Sequence, residues 1–404
     1  MRWTATIFQG RYSVVLDRHQ QVKHARRLLR DHRVVGIVGA RQVGKTTLAR
    51  QIVERHDGPA TVFDLENPED LSRLSDPMLA LKELRGLVVI DEIQRIPEVF
   101  PVIRVLVDRP RHPARFLVLG SASPNLLRQS SESLAGRIAY HELEGFSIEE
   151  VSSRKASQLW LRGGFPRSFL ARSARASMEW RREFVGTFLE RDIPQLGIRI
   201  PAPTMRRFWS MLAHYHGQIW NASEFARSFG VGDTTVRRYL DLLESVFMVR
   251  QLQPFHANLA KRQVRAPKVY LADTGMLHAL LDLPDRRSLE GHPKLGASWE
   301  WFAMNAVIGQ VGARREQCYF WATHAGAELD LLIVRGQHRW GLEFKRTSAP
   351  KITRSMRTAM ADLRLKRLDV IHAGAQSFPL AKNINAVSFS RIRQDLLPLP
   401  GMRS

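Results

Sequence analysis

The sequence predicts an α/β protein of several domains, in which a parallel sheet with flanking helices comes first. Its 404 residues exceed what one ordinary hydrophobic core organises. Up to about residue 145, short apolar runs such as "RVVGIVG" and "GLVVIDE" alternate with helix-length stretches, which is typical of parallel strands joined by crossover helices. Near the other end, "ELDLLIVRGQHRWGLEFK" predicts a β-hairpin and therefore a second sheet.

The composition indicates the partners and the location of the protein. It has 61 Lys and Arg against 39 Asp and Glu, a formal net charge of +22. This surplus attracts polyanions and predicts nucleic acid as a partner, although an Arg-rich proteome would give the same dispersed charge. Cys318 is the single cysteine, which excludes a disulfide framework and a cysteine metal site. No apolar run reaches the roughly 18–20 residues of a membrane span and the start lacks a secretory signal, so we expect a cytoplasmic protein without membrane contact.

The first chemical motif is "GARQVGKTT", which fits the pattern G-x-x-x-x-G-K-[ST] from Gly39 to Thr46. It follows a predicted strand and opens a predicted helix, which is the context that a phosphate-binding loop needs. Lys45 would reach the β- and γ-phosphates, and the Thr46 hydroxyl would hold Mg²⁺. The residues predicted to bind nucleotide in this loop are Gly39, Ala40, Arg41, Gln42, Val43, Gly44, Lys45, Thr46 and Thr47.

A second motif, "LVVIDE", completes the predicted nucleotide site. Four apolar residues form a buried strand that ends at Asp91. Asp91 would hold the Mg²⁺ shell and Glu92 would polarise the attacking water, so ATP and Mg²⁺ are the predicted cofactors and ATP hydrolysis the predicted reaction. The alternative is an acidic pair on a surface turn.

Two further residues are candidates for contact with the nucleotide. Ser121 ends the predicted strand "FLVLGS" and would sense the γ-phosphate, or it is a plain turn serine. Arg137, in "SESLAGRIAY", would reach a phosphate in its own or a neighbouring subunit, because Arg commonly stabilises charge on a transferring phosphoryl group. The alternative for Arg137 is a surface residue on a helix.

The motifs "GARQVGKTTLARQ", "VVIDEIQRIPEVFPVIRVLVD", "FLVLGSAS" and "SLAGRI" resemble those of bacterial and archaeal AAA-type P-loop ATPases. The segments "GGFPRSF", "FLERDIPQLG" and "KVYLADTGMLHALL" resemble the group of these ATPases that carries a C-terminal domain of unknown function. The resemblance implies a P-loop NTPase parallel sheet, then a winged helix, then a restriction-endonuclease-like α/β domain. It also favours ATP over GTP. The predicted boundaries are an ATPase core over 1–145, a helical connector over 146–215, a winged-helix segment over 216–285 and a nuclease-like domain over 286–404.

The winged-helix segment contains a predicted helix-turn-helix. Asn221 and Glu224 resemble a capping box, Gly230 can end the first helix and Asp233 can cap the second. Four residues near the exposed start of the second helix are predicted to meet a DNA major groove. They are Thr234, Thr235, Arg237 and Arg238. Winged helices also serve as packing modules, which remains the alternative.

Further along the segment, "FMVRQLQPF" and "KVYLAD" could pair as a wing. Asp273 and Thr274 in "ADTG" are expected to cap a helix rather than to catalyse.

The predicted hairpin brings acidic and basic residues to one face. A two-residue turn at Gly336–Gln337 pairs Arg335 with His338, which places Asp330 opposite Glu343 and Glu328 opposite Lys345. A four-residue loop would preserve this register and a three-residue loop would break it. An exposed face with a Glu328–Lys345 salt bridge is the simplest alternative. That alternative leaves Asp330 against Glu343, and like charges directly opposite destabilise a hairpin unless a divalent cation lies between them.

This segment resembles the active site of PD-(D/E)xK nucleases, although Leu329 stands where the family's Pro would be. The resemblance implies that Asp330 and Glu343 hold Mg²⁺, that Lys345 activates the attacking water, and that Glu300 on the preceding helix is a further ligand. A remnant that no longer cleaves DNA is the alternative.

Three functions are therefore open. The first is an ATP-dependent enzyme that acts on DNA and cuts it or holds it. The second is a nucleotide-regulated switch that binds DNA or a protein through an inactive nuclease-like domain. The third is a signalling-type ATPase whose basic surface binds an acidic protein. A homo-oligomer is possible in each case, since related ATPases work as rings, dimers or monomers.

Overall fold

The protein is described here from a computed structural model that covers residues 3–8, 11–110, 114–121, 133–195, 200–256 and 263–398. Side chains before residue 15 and that of Ser121 lie outside this description. Within the described ranges the strands form three sheets, of two, five and nine strands. The two-stranded sheet is an antiparallel hairpin of β1 (Trp3–Phe8) and β2 (Arg11–Leu16).

The five-stranded sheet forms the first domain. Its strands are β3 (Val34–Gly39), β4 (Ala60–Asp64), β5 (Gly86–Asp91), β6 (Ala114–Ser121) and β7 (Ile138–Glu142). Their order is β4-β5-β6-β3-β7 and every pair is parallel, which confirms the predicted parallel sheet. The helices of this domain are α1 (His19–Asp31), α2 (Lys45–Val53), α3 (Pro68–Arg73), α4 (Pro77–Leu81) and α5 (Val99–Asp108).

A series of helices follows the five-stranded sheet and forms a helical connector. Its helices are α6 (Ile148–Val151), α7 (Ala156–Arg162), α8 (Pro166–Phe169), α9 (Ala174–Thr187), a π-helix (Phe188–Asp192), α10 (Ile193–Gln195) and α11 (Ala202–His214). Aromatic side chains hold it together: the ring centroids of Phe184 and Phe188 are 5.8 Å apart, and those of Phe188 and Trp209 are 5.4 Å apart. Trp160 also donates a hydrogen bond of 2.9 Å to Ser298 in the last part of the chain.

The middle segment has the predicted pair of helices and the predicted strand pairing. Its elements are β8 (Gln218–Ile219), α12 (Ala222–Phe229), α13 (Asp233–Ser245), β9 (Val249–Pro254) and β10 (Lys268–Leu271), with β10 between β9 and β8. Asn221 caps α12 and Gly230 ends it with a φ of 64°, as predicted. The predicted cap of α13 by Asp233 is wrong. Gly232 is at that position, and the Asp233 carboxylate accepts a hydrogen bond of 2.8 Å from Ser223 instead.

The last segment contributes the remaining strands of the nine-stranded sheet. Its elements are α14 (Thr274–Leu280), α15 (Arg286–Glu290), α16 (Leu295–Val311), β11 (Cys318–Ala322), β12 (Glu328–Arg335), β13 (His338–Lys345), α17 (Arg354–Asp362), β14 (Leu368–His372), β15 (Phe378–Ala381), β16 (Ile384–Ser388) and α18 (Ile392–Asp395). The strand order is β15-β16-β14-β13-β12-β11-β9-β10-β8.

The nine-stranded sheet crosses the predicted boundary between residues 285 and 286. Strand β9 pairs with β10 on one side and, in parallel, with β11 on the other, where Gln253 lies opposite Tyr319. The middle and last segments therefore share one sheet rather than two separate ones. Every helix in the described ranges is too short or too polar to cross a bilayer.

Candidate functional site

The phosphate-binding loop lies between β3 and α2, at the carboxyl edge of the parallel sheet. Gly44, just before α2, has a φ of 98°, which is in the left-handed region that favours glycine. A Cβ at Gly39 would collide with the Leu143 carbonyl oxygen, so this position also needs glycine. The two glycines of the motif are therefore required by the path of the loop.

Lys45 is buried under this loop. Its side chain is 5% exposed, and its ammonium donates hydrogen bonds to the carbonyl oxygens of Gly39 (3.2 Å) and Ala40 (3.0 Å). Burial lowers the pKa of Lys45 to about 8, while the charges of Glu92 and Asp91 act in the opposite direction. Lys45 is thus mostly protonated at neutral pH and can neutralise phosphate oxygens.

Thr46 and Asp91 meet where α2 begins and β5 ends. The Thr46 hydroxyl donates a hydrogen bond of 2.6 Å to Asp91 Oδ2, and the Glu92 N–H donates one of 2.9 Å to Asp91 Oδ1. Burial raises the pKa of Asp91, and these two hydrogen bonds partly offset that effect. A hydroxyl and a carboxylate oxygen are hard ligands that suit Mg²⁺, so these two residues fit the predicted metal position.

Glu92 follows directly, with its backbone in the left-handed region at a φ of 54°. Its carboxylate accepts a hydrogen bond from the Gln94 side chain, and burial raises its pKa. The structure therefore brings Lys45, Asp91 and Glu92 together as predicted. Gln94 is an additional partner that the sequence analysis missed, because nothing in the motif indicates it.

Ser121 and Arg137, the two remaining candidates for contact with the nucleotide, lie at opposite edges of the parallel sheet. The backbone of Ser121 lies beside Gly39 at the carboxyl edge of the sheet, but its side chain is outside the described residues. Arg137 lies at the opposite edge, because Ile138 pairs with Val34 at the start of β3. Arg137 is therefore separated from the phosphate-binding loop by the length of about five strand residues, or roughly 16 Å.

Arg137 also forms an exposed bidentate ion pair with Asp108, at 2.7 and 2.8 Å. The prediction that Arg137 reaches a phosphate in its own subunit is wrong, because β7 runs parallel to β3 and its first residues lie at the far edge. Contact with a neighbouring subunit stays a prediction.

The hairpin has the predicted register. Arg335 pairs with His338, and the pairing continues to Leu331 with Leu342, so Asp330 and Glu343 are the next opposed residues. Lys345 Nζ lies 3.0 Å from Glu343 Oε2 and 3.5 Å from Asp330 Oδ2.

The charges of this hairpin cluster depend on one another. Burial and the Asp330 carboxylate raise the pKa of Glu343 well above its ordinary value. Burial also disfavours an ionised Asp330, but Lys345 and Lys268 lower the pKa of Asp330 overall. Three of the residues that were predicted to share one face, Asp330, Glu343 and Lys345, are therefore in contact, and Lys345 forms an ion pair with each acid.

Glu300 points towards this cluster, and two residues of β10 accompany it. The Tyr270 hydroxyl donates a hydrogen bond of 2.8 Å to Glu300, and Lys268 Nζ lies 3.9 Å from the same carboxylate. Lys268 also forms an ion pair with Glu328, so the predicted alternative pair of Glu328 with Lys345 is wrong. Burial and the Asp330 charge raise the pKa of Glu300 to about 7.

Lys268 and Tyr270 were missed by the sequence analysis. Their spacing of two on a strand indicates a shared face, but only the pairing of β9 with β11 brings that face to the hairpin.

The acidic residues of the hairpin are not arranged as the predicted metal site requires. Among the described residues there is no group of three or more His, Cys, Asp or Glu side chains that could hold a metal ion. Glu300, Asp330 and Glu343 are therefore not arranged as a three-carboxylate cage, since the Lys345 ammonium bridges Asp330 and Glu343.

The predicted DNA-contacting residues lie near the start of α13. Thr234, Arg237 and Arg238 are exposed and Thr235 is half-buried, while Val236 on the same helix is buried. The adjacent β9 and β10 pair antiparallel, as the predicted wing requires.

The capping prediction for "ADTG" is confirmed for Asp273, whereas Thr274 is the first residue of the helix and does not cap it. The Asp273 carboxylate accepts hydrogen bonds from Met276 N (2.9 Å) and Gly164 N (2.6 Å). Thr274 donates one of 2.8 Å to Trp160 O. Both residues therefore have a structural role.

Comparison with known proteins identifies three parts of the chain. Residues 31–152 match the model of an AAA domain, which makes the first domain an AAA-type P-loop ATPase domain. Residues 153–287 and 295–392 match two models described as domains of unknown function, DUF8612 and DUF4143.

Two curated relatives are similar over most of the chain. They are the uncharacterized protein Mb2031c of Mycobacterium bovis and the uncharacterized protein Rv2008c of Mycobacterium tuberculosis. Each is 52% identical over 379 residues, which is 94% of this chain and 85% of the relative. Among solved structures, a Walker-type ATPase of Pyrococcus abyssi is 15% identical with a TM-score of 0.49, covering 66% of this chain and 96% of that one.

Proposed function

This chain belongs to the family of the mycobacterial proteins Mb2031c and Rv2008c. We propose that it is a Mg²⁺-dependent ATPase that acts on DNA. The observation that carries the ATPase proposal is the 2.6 Å hydrogen bond between the Thr46 hydroxyl and Asp91, directly beside the buried Lys45. A loop with this lysine, a hydroxyl and a strand-terminal carboxylate provides the three groups that a nucleotide–magnesium complex requires.

Each residue has a distinct task in the proposed reaction. The loop N–H groups and Lys45 hold the phosphate oxygens, and the protonated ammonium balances charge that develops on them. Mg²⁺, held through Thr46 and Asp91, would supply further positive charge at the phosphates. Glu92 accepts a proton from the attacking water, and Gln94 orients the Glu92 carboxylate.

The direct test measures ATP hydrolysis with Mg²⁺ by the unaltered chain and by Lys45→Ala. We expect Lys45→Ala to lower the rate by about 100-fold or more, because it removes preorganised charge at the phosphates. Lys82→Ala, at an exposed lysine of the same domain, is the control and should keep the rate. Equal rates in Lys45→Ala and Lys82→Ala would refute the proposal.

DNA is the proposed partner because three features favour it. The formal net charge is +22, and Arg237 and Arg238 are exposed on the first turns of α13. The element order from α11 to β10, with β10 between β9 and β8, is also the order that a winged helix has. A basic surface that binds an acidic protein is the alternative, and it predicts no effect of DNA.

The DNA proposal is tested by duplex binding at several salt concentrations and by ATP hydrolysis with and without duplex. We expect Arg237→Ala/Arg238→Ala to weaken binding and to lower its salt dependence by up to about two counterions. The matched control changes two exposed arginines of the connector, Arg154→Ala/Arg175→Ala. Equal weakening in both variants would assign the binding to overall charge and not to α13.

A second candidate activity is cleavage of DNA at the hairpin. What supports it is the position of Lys345, 3.0 Å from Glu343 and 3.5 Å from Asp330, on adjacent strands. Linear, supercoiled, single-stranded and branched DNA would be incubated with Mg²⁺ or Mn²⁺, with and without ATP. Cleavage that is lost in Lys345→Ala but kept in Lys351→Ala, at a nearby exposed lysine, would support a nuclease. DNA-stimulated ATP hydrolysis without cleavage of any substrate would support the alternative, in which this domain only holds DNA.

A further inference from the structure

An ion pair links the phosphate-binding loop to the helical connector. The Arg41 guanidinium, from the third residue of the loop, donates to the carboxylate of Asp192, which lies 151 positions along the chain. The Arg41 side chain is 28% exposed and the Asp192 side chain is 8% exposed. The loop that is proposed to bind phosphate thus already contacts an anionic group of the protein itself.

Asp192 is the last residue of the π-helix in the connector. A π-helical turn inside a helical segment is uncommon and often occurs at functional sites. The connector also approaches the loop at a second point, since a Cβ at Gly44 would lie 3.6 Å from Pro166 Cγ. The connector therefore touches the loop both near its middle and at its end.

Arg41 belongs to the loop that is proposed to hold the phosphates, four positions before Lys45. Burial is the main reason that the pKa of Lys45 falls to about 8, and the positive charge of Arg41 lowers it further. Arg41 thus acts on the lysine that is proposed to hold the β- and γ-phosphates. A guanidinium at this place matches phosphate oxygens as well as it matches a carboxylate.

A second ion pair, which contacts the same loop from outside, is fully buried and serves as a comparison. Arg18 and Glu150 have side chains that are 3% and 2% exposed, and Arg18 also donates to Val43 O at 3.3 Å. That pair is closed to solvent and to ligands. The Arg41–Asp192 pair is open on the arginine side, so Arg41 can exchange its partner.

We propose that Asp192 competes with the phosphates of a bound nucleotide for Arg41, so that nucleotide binding releases the π-helix of the connector from the phosphate-binding loop. This inference rests on the proposed binding of ATP. Asp192 acts through Arg41 as a positioning residue. Its contact with Arg41 is present without nucleotide and is lost when nucleotide binds, which couples the connector to the nucleotide site.

The test measures the affinity of a fluorescent ATP analogue with Mg²⁺ for the unaltered chain and its variants. Asp192→Asn removes the competing charge and should tighten binding by about three- to tenfold, because Arg41 is then available more of the time. Arg41→Ala should weaken binding, and adding Asp192→Asn to Arg41→Ala should change nothing further. Asp282→Asn, which removes the exposed partner of Arg182 on α9, is the matched control and should bind like the unaltered chain.

The alternative is that the pair is a fixed part of the loop, and it predicts the opposite sign. Weaker binding or unchanged binding by a folded Asp192→Asn would overturn the competition. Hydrogen exchange of residues 188–195 in the unaltered chain gives a second readout that needs no variant. Exchange there should become faster when the ATP analogue binds, and unchanged or slower exchange would also overturn the inference.

Failure of the underlying ATP proposal would look different. If the unaltered chain does not bind the analogue, or if Lys45→Ala binds it equally well, ATP binding at this loop is refuted, whatever Asp192→Asn does. If the unaltered chain binds and Lys45→Ala does not, the results for Asp192→Asn and for hydrogen exchange decide the competition alone.

Discussion

The nucleotide site and the hairpin site contain the same chemical groups in different arrangements. Each has a lysine beside two carboxylates, which lie at the end of one strand in the nucleotide site and on two neighbouring strands in the hairpin. In the nucleotide site, Lys45 donates hydrogen bonds to backbone carbonyl oxygens, and Asp91 accepts its side-chain hydrogen bond from Thr46. In the hairpin, Lys345 forms ion pairs with both Asp330 and Glu343. The first site thus keeps its charges apart and ready for a ligand, whereas the second neutralises its own charges.

The difference shows that the residue types of a motif do not by themselves determine whether its charged side chains are available to a ligand. A cation that entered the hairpin would have to displace an ammonium group. A nucleotide that entered the loop would have to replace the hydrogen bonds of Lys45 to the backbone and, in our proposal, the Asp192 partner of Arg41. This contrast leads to four predictions, in order of decreasing effect.

The largest effect is expected at Glu92. Glu92→Gln keeps the size of the side chain and its contact with Gln94 but removes the base, so kcat for ATP hydrolysis should fall by about 100- to 1000-fold. KM should change little, because Asp91 and Lys45 still hold the nucleotide complex. Steady-state kinetics measure this directly. A large rise of KM with an unchanged kcat would show that Glu92 binds nucleotide and does not activate water.

The next effect concerns stability at the hairpin. Lys268→Met leaves the carboxylates of Glu300 and Glu328 without their buried cation and should lower the free energy of unfolding by about 3 kcal/mol. Lys345→Met should cost less, about 1 kcal/mol, because the Lys345 side chain is 41% exposed where that of Lys268 is 5% exposed. Urea unfolding of both variants gives the comparison. A larger loss for Lys345→Met would contradict the proposed roles of the two lysines.

A smaller effect is a dependence of stability on pH through Glu300. Its pKa is raised from 4.5 to about 7, so the folded chain holds a proton there that the unfolded chain releases between those values. The contribution of Glu300 to stability is therefore present below about pH 4.5 and is lost as the pH rises towards 7. Between pH 5 and 7, the free energy of unfolding of the unaltered chain should decrease by about 2 kcal/mol more than that of Glu300→Gln. Parallel curves for the two proteins would rule out a buried, protonated Glu300.

The smallest effect is expected at Arg137. Its exposed pair with Asp108 lies at the edge of the sheet away from the nucleotide, so Arg137→Ala should change ATP hydrolysis by less than about twofold in dilute protein. A loss that appears only as the protein concentration rises would indicate that Arg137 acts on the nucleotide of a neighbouring subunit. The matched variant Asp108→Ala would then free Arg137 and should not reproduce the loss.

Local patterns were sufficient for the features that depend on neighbouring residues. The loop from Gly39 to Thr46, the strand that ends at Asp91 and the turn that pairs Arg335 with His338 follow from residue type and spacing. Each depends on backbone geometry over a few residues, which the sequence specifies directly.

Contacts between distant segments could not be predicted in the same way. The position of Arg137 depends on the direction of β7 against β3, and the contribution of Lys268 to the hairpin site depends on β9 pairing with β11. The contact of Arg41 with Asp192 spans 151 positions. The predicted cap by Asp233 was wrong for a related reason, because the Asp233 carboxylate accepts a hydrogen bond from Ser223 on the preceding helix. In each case the tertiary packing of the segments, and not the spacing of residues along the chain, determines which side chain a residue contacts.

The unbroken sheet from β8 to β15 has a mechanical consequence. A pull on the segment around α13 is borne by rows of backbone hydrogen bonds loaded together, and reaches the hairpin of β12 and β13 without passing through a flexible link. The first domain also contacts this sheet directly, because Arg250 of β9 forms an ion pair of 2.9 Å with Glu142 at the end of β7. A change in the first domain can therefore reach the hairpin through this contact as well as through the helical connector.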